Sequence, residues 1–195
     1  MLYLIGGAAR AGKTILAHRL FREHQVPYLC VDYFVSALEQ GAPELGIVGE
    51  SPTRPKAEAL WPRLVGLLRN VVEVEPAYTV EGDALWPQGV AAFMAEYPGL
   101  VRACFIGYTE TTPPRKLAEI RRHAGNVNDW IQHHDDGYVL NLCAEMIDWS
   151  RFLRDECARL GLPYVDASVA FAHGLERAFQ RLLGGSADSA NVPSP

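Results

Sequence analysis

The stretch Gly6-Gly7-Ala8-Ala9-Arg10-Ala11-Gly12-Lys13-Thr14 constrains this chain more than any other. From Gly7 it matches G-x-x-x-x-G-K-[ST], the phosphate-binding loop. Such a loop must turn consecutive backbone N–H groups inward around a polyphosphate. That curvature needs positive φ and close backbone approach, which is why Gly7 and Gly12 carry no side chain. Lys13 is a compact cation of the reach needed for β- and γ-phosphates. The Thr14 hydroxyl suits one position on a Mg²⁺ ion that otherwise keeps waters and phosphate oxygens. Gly7, Ala8, Ala9, Arg10, Ala11, Gly12, Lys13 and Thr14 are therefore the candidate phosphate-binding residues.

The flanks agree with the motif. Met1-Leu2-Tyr3-Leu4-Ile5 reads as a buried parallel strand. After Thr14, the residues Ile15, Leu16, Leu20 and Phe21 recur at helical spacing, with Arg19, Arg22 and Glu23 between them. The helix aims the positive end of its dipole at the same anion.

The 195 residues suffice for one well-buried domain, expected over 1–183, with a Gly/Ser/Pro-rich disordered tail over 184–195. A formal net charge of -5 argues against a general nucleic-acid binder. No apolar run reaches membrane-spanning length, and the first strand enters the loop with no basic leader or cleavage site. Cys30, Cys104, Cys143 and Cys157 lie apart among apolar residues without a C-x-x-C pair, as reduced core thiols would. A reducing, cytoplasmic setting is the expectation.

Along the chain, Tyr28-Leu29-Cys30-Val31 reads as a second strand running on to Tyr33-Phe34-Val35, with Asp32 at its carboxyl end. In an open parallel sheet that end is the ligand crevice. Residues 40–55 are rich in Gly, Pro and Glu and read as a loop with one helical turn, bearing Arg54, with Lys56 just beyond. Leu60, Leu64, Leu67, Leu68 and Val71 predict a helix over 56–72, with Trp61-Pro62 in its first turns. Residues 78–85 predict a third strand and its exit, where Glu81 and Asp83 can hold Mg²⁺ through water or orient a substrate hydroxyl. Trp86-Pro87 opens a loop, and a short helix follows over 90–97. Residues 100–108 predict a fourth strand, leading through a Thr/Pro turn into a basic segment with Arg115, Lys116, Arg121, Arg122 and His123.

Residues 125–129 read as a turn. His133-His134-Asp135-Asp136 lacks metal-ligand spacing, so Asp135 or Asp136 is read as an N-cap. A long helix follows to Gly161, then a fifth strand over 163–168, and a last helix with Ser168 as its expected cap.

Strands and helices alternate throughout, which implies a parallel sheet covered on both faces. With the phosphate loop in the first βα unit, the chain resembles the P-loop kinases of the nucleoside, nucleotide and small-molecule group. Adenylate, shikimate and gluconate kinases, chloramphenicol phosphotransferase and 2-phosphoglycerate kinase belong to it. Residues 29–34 are similar to the strand-2 end of its small-molecule members, and residues 80–87 to an E-G-x-x-L-x-P stretch of some of them. The adenylate kinase pattern of substrate arginine and lid motifs is not found, and the shikimate kinase acidic pair is reduced to Asp32. Nor does an aspartate end four apolar residues, because Glu81 precedes Gly82 and Asp83.

The resemblance implies a P-loop NTPase fold, a three-layer α/β/α sandwich with a five-stranded parallel sheet and a small helical lid over 109–136. It implies a kinase using ATP and Mg²⁺ on a small-molecule acceptor, with no membrane partner. Lys13, Asp32, Arg115, Arg121 and Arg122 are the catalytic candidates, Asp32 binding or deprotonating the acceptor and the arginines forming the lid. Asp32, Arg54, Glu81 and Asp83 are the substrate-binding candidates, and Thr14 is the Mg²⁺ ligand with Asp32, Glu81 or Asp83 behind water. The adenine loop falls near residues 166–168. A nucleotide-binding switch protein with slow or no hydrolysis, or a kinase for a larger acceptor, are the rival readings.

Overall fold

The computed structural model describes residues 1–123 and 130–184. The turn expected at 125–129 and the tail from 185 onward lie outside the described residues.

The chain alternates strand and helix. The order is β1 (Leu2–Gly7), α1 (Lys13–His24), β2 (Tyr28–Cys30), α2 (Val31–Gly41), α3 (Thr53–Val74), β3 (Tyr78–Gly82), α4 (Pro87–Glu96), β4 (Val101–Gly107), α5 (Pro113–Arg122), α6 (Asp136–Leu160), β5 (Tyr164–Asp166) and α7 (Phe171–Leu183). Short 3₁₀ turns occupy Pro43–Leu45 and Trp130–His133. The strands form one parallel sheet in the order β2-β3-β1-β4-β5. The expected five-stranded parallel sheet flanked by helices is the fold.

The strand that carries the loop is central. β1 pairs with β3 on one side, Ile5 opposite Glu81, and with β4 on the other, Gly7 opposite Ile106. A central parallel strand is covered on both faces, and Leu2, Leu4 and Ile5 are accordingly buried. α1 and α7 pack together and against the sheet, and α4 and α6 likewise. A second, smaller core of Ile120, Ile131, Val139 and Cys143 joins α5 to the start of α6. Among the described residues, no helix is long and apolar enough to cross a membrane.

Several local expectations need correction. β2 stops at Cys30, and Val31 already begins α2. The apolar run to Val35 is helical because β2 is a short edge strand, with too little sheet beside it to extend the pairing. Within α1 only Leu16 and Leu20 of the apolar set turn inward; Ile15 and Phe21 are about half exposed, at 48% and 47%. α3 begins at Thr53, so Pro62 lies well inside it and leaves the Glu58 carbonyl without its helical donor. Pro87 does not open a loop but occupies the first turn of α4, where a missing N–H costs nothing. Ser168 does not cap α7: Ala170 precedes that helix, and the Ser168 hydroxyl accepts from the Glu110 N–H at 2.9 Å. Asp135 does cap α6, accepting from the Tyr138 N–H at 2.9 Å.

Candidate functional site

The loop between β1 and α1 has the backbone its residues predict. Gly7 has φ 147° and Gly12 φ 98°, and Arg10 between them sits at φ 61°. A Cβ on Gly7 would lie 1.9 Å from the Ile106 carbonyl oxygen, so the loop leaves the sheet against β4 with no room for a side chain. Gly12 is equally pressed, a Cβ there meeting Leu175 of α7 at 2.6 Å. The first amides of α1 have no intrahelical partner and point out of its N-terminus, towards the space the loop encircles. Lys13 is buried, and its ammonium folds back to donate to the Ala8 carbonyl at 2.9 Å.

The sheet order brings β3 beside β1, and with it a carboxylate. Thr14 Oγ1 donates to Glu81 Oε1 at 2.9 Å. Glu81 is buried at 1% exposure, its carboxyl facing the first turn of α1. A hydroxyl and a carboxylate side by side suit a hard, oxygen-seeking cation that keeps most of its waters. No aspartate ends a run of four apolar residues on β3. β3 instead reaches the same place with Thr79, Val80 and Glu81.

Asp32 arrives by a different route from the one expected. It lies in the first turn of α2, not at a strand end. Gly82 makes this possible: a Cβ there would be 2.6 Å from the Val31 Cβ, so α2 starts directly against the end of β3. The Asp32 carboxyl therefore faces Asp83, Lys13, Glu81 and Lys56. Burial, then the negative charge of Asp83, raises its pKa, and the two lysines only partly offset this. Asp83 follows in the turn, with Oδ1 buried and without a hydrogen-bond partner. Lys13, Thr14, Asp32, Glu81 and Asp83 are thus brought together at the carboxyl ends of β1 and β3.

Arg54 lies in the first turn of α3, against α6. It is exposed, with its guanidinium 4.4 Å above the Phe152 ring of α6. Phe152 also makes stacked ring contacts with Trp86 and with Trp149. Next to Arg54, Thr53 donates its N–H and hydroxyl to Glu145 of α6 at 2.8 and 3.0 Å. This side is walled by aromatic rings as well as charge.

The three lid arginines are not assembled around the loop. Arg115 and Arg122 are exposed. Arg121 is engaged inside the α5–α6 unit, bonded to Asp136 at 3.0 Å and to the His134 carbonyl at 2.6 Å. The cation of this helix that turns inward is Lys116, at 6% exposure, with Nζ 4.2 Å from the centre of the Tyr108 ring. Tyr108, Met146 and Lys116 all support the loop and were not among the sequence candidates. Only Lys116 left a signal, since it stands four residues before the apolar Ile120 and shares its buried face.

A cavity of about 550 Å³ opens at the ends of β4 and β5, lined by Thr109, Glu110, Tyr164, Asp166, Val169 and His173 among others. Asp166 organises its rim. It accepts from the Thr109 N–H and hydroxyl and from the Ser168 N–H, at 2.7 to 2.8 Å. Burial alone would raise the pKa of Asp166, but these bonds outweigh it and hold it low.

No protein-family model matches the chain, and no curated protein matches its sequence. Solved structures do match its fold. A shikimate kinase from Bacteroides thetaiotaomicron is 18% identical with a TM-score of 0.55, covering 94% of this chain and 97% of its own. A gluconokinase from Sinorhizobium meliloti 1021 is 13% identical with a TM-score of 0.56, covering 94% and 91%. A shikimate kinase from Acinetobacter baumannii in complex with shikimate is 12% identical with a TM-score of 0.53, covering 94% and 93%. At these identities the likeness is one of fold, and that fold is the P-loop kinase fold.

Proposed function

We propose that the chain is a phosphotransferase, moving the γ-phosphoryl group of ATP, with Mg²⁺, to a hydroxyl or phosphate of a small molecule. The observation that carries this reading is the hydrogen bond from Thr14 to Glu81 at the mouth of the Gly7–Thr14 loop, with Asp32 beside it. A phosphate nest, a hydroxyl–carboxylate pair fit for Mg²⁺ and a second carboxylate within the same charge cluster are the parts such a transfer needs.

The roles follow from chemistry. The amides of residues 7–14 would receive the β- and γ-phosphates, and Lys13 would leave the Ala8 carbonyl to join them. Thr14 would hold Mg²⁺, with Glu81 behind it. The ion supplies charge neutralisation on the phosphates when bound. Asp32 would orient the acceptor hydroxyl and take its proton as the acceptor oxygen bonds to the γ-phosphorus and the bond to the ADP oxygen breaks. Asp83 and Arg54 would bind the acceptor from the side opposite the nucleotide. The nucleoside would extend towards the cavity at the ends of β4 and β5. Phe171, at the start of α7, is already close enough to crowd Gly12 there. The α5 segment would close over the phosphates and exclude water, so that transfer goes to the acceptor.

The test is ADP release from Mg·ATP, coupled to a spectroscopic readout, with and without fractionated metabolite pools. A pool that raises the rate at least about tenfold above background supports the reading. ADP release that no pool increases would favour a nucleotide switch protein instead.

A further inference from the structure

The phosphate loop is held from behind as well as shaped from within. At Ala9 both backbone groups are engaged by side chains far away in sequence. Its carbonyl accepts from the Tyr108 hydroxyl at 2.8 Å, and its N–H points at Met146 Sδ at 3.2 Å. The next residue, Arg10, is in the left-handed region at φ 61°. A single left-handed residue of this kind turns successive amides to the same side, which is how an anion nest is made. The Ala9–Arg10 peptide is therefore the plane whose orientation decides whether the nest exists, and Tyr108 holds its oxygen.

Tyr108 is in turn gripped at both ends. Its own N–H donates to Ser150 Oγ at 3.1 Å, and Ser150 donates to the Met146 carbonyl at 2.7 Å, so α6 supplies a fixed frame. Its ring lies under the Lys116 ammonium of α5, 4.2 Å from centroid to Nζ. Lys116 completes its bonding with Glu119 at 3.1 Å. Both Tyr108 and Lys116 are almost fully buried, at 2% and 6%. A cation over a desolvated ring is attracted more strongly than one at a wet surface. Burial also raises the pKa of Tyr108, so the phenol remains a protonated donor towards Ala9.

We propose that Tyr108 and Lys116 form a latch between α5 and the phosphate loop. Tyr108 is the positioning residue that sets the Ala9–Arg10 peptide, and Lys116 is the cation through which α5 holds Tyr108. The latch rests on the phosphate-binding reading of the loop. By linkage, phosphates that order the loop also order α5, and α5 displaced from Tyr108 weakens phosphate binding.

The test is amide hydrogen exchange on the wild type, Tyr108→Phe, Lys116→Met and Lys116→Arg, each with and without the Mg²⁺ complex of the non-hydrolysable analogue AMP-PNP. Without nucleotide, Tyr108→Phe raises exchange across residues 7–14 roughly tenfold, because the Ala9 carbonyl loses its buried partner. Lys116→Met raises it less, and Lys116→Arg returns it towards wild type. With the analogue, wild type gains protection in both the loop and α5. Tyr108→Phe and Lys116→Met keep protection in the loop and lose it in α5. Unchanged loop exchange in Tyr108→Phe, or nucleotide-induced protection of α5 surviving in Lys116→Met, overturns the latch. Should Tyr108→Phe fail to fold, Lys116→Met decides alone. A wild type that the analogue does not protect at all refutes the phosphate-binding reading, and the nucleotide-free arm still decides the latch.

Discussion

The Thr14 hydroxyl donates to Glu81 Oε1 across 2.9 Å, joining the first turn of the helix after the phosphate loop to the end of the adjacent strand. The pair is a buried carboxylate behind a hydroxyl, so in the proposed reading Thr14 would hold Mg²⁺ and Glu81 would support it from behind. Glu81→Gln keeps the shape and the hydrogen bond but removes the charge. Its effect should fall on magnesium. Affinity for Mg·ATP drops about 10- to 100-fold while affinity for magnesium-free ATP changes little. Paired calorimetric titrations with magnesium and with EDTA check this.

Asp32 gives a pH signature in both stability and rate. Its folded pKa is raised above the ordinary aspartate value of 3.8, by burial first and by Asp83 second. A carboxyl with a raised pKa stabilises the fold while protonated and loses that contribution as pH rises through its folded pKa. Asp32→Asn should therefore melt higher than wild type near neutral pH, with the gap closing as pH falls towards the ordinary value. In turnover the same substitution should lower kcat by about 100-fold or more and leave nucleotide affinity close to wild type. Equal losses in both would make Asp32 a support of the loop and not a base.

Gly7→Ala tests the loop backbone without touching charge. The new methyl would meet the Ile106 carbonyl oxygen at 1.9 Å, at a φ of 147° that disfavours a side chain. A loss of about 3 kcal/mol or more in unfolding free energy is expected, read from urea titration. A near-neutral result would mean that the loop has another path out of the sheet.

The arginines of α5 should separate by stability. Arg121 bonds to Asp136 and to the carbonyl of His134. Its replacement by Ala should cost about 1 kcal/mol, since the part-buried His134 carbonyl loses a charged donor, while the exposed Asp136 pair adds little. Arg122 is exposed, and Arg122→Ala should stay within about 0.5 kcal/mol of wild type. Chemical denaturation of both variants checks the contrast.

The loop and the central strand were legible because their constraints are local. Gly7, Gly12, Lys13 and Thr14 lie within one short turn of chain, so their spacing alone carries the loop's backbone geometry. The parallel sheet was legible from alternation. Asp32 was legible as a carboxylate near the loop but not as a helical residue. What ends β2 is its place at the sheet edge, and strand order is not written in any one stretch. Glu81 was one of several acidic candidates until the pairing of β3 with β1 put it opposite Ile5. The inward-facing cation of α5 was hidden for a related reason. Arginines draw the eye by charge, yet α5 buries the face of Lys116 and Ile120, and that choice is made by packing against α6. Tyr108 left no signal, because its hydroxyl matters only through the distant backbone of Ala9.

In the proposed reading, residues 7–14 grip the terminal phosphates of a nucleotide. The most direct measurement is calorimetric titration of wild type and Lys13→Ala with Mg·ATP and with AMP. Among the described residues, the Lys13 ammonium donates to the Ala8 carbonyl of its own loop, so its loss should leave the fold intact. The account predicts saturable Mg·ATP binding by the wild type, much weaker AMP binding, and loss of at least about 100-fold in Mg·ATP affinity in Lys13→Ala. Undetectable Mg·ATP binding by the wild type, or equal binding by wild type and variant, would contradict it.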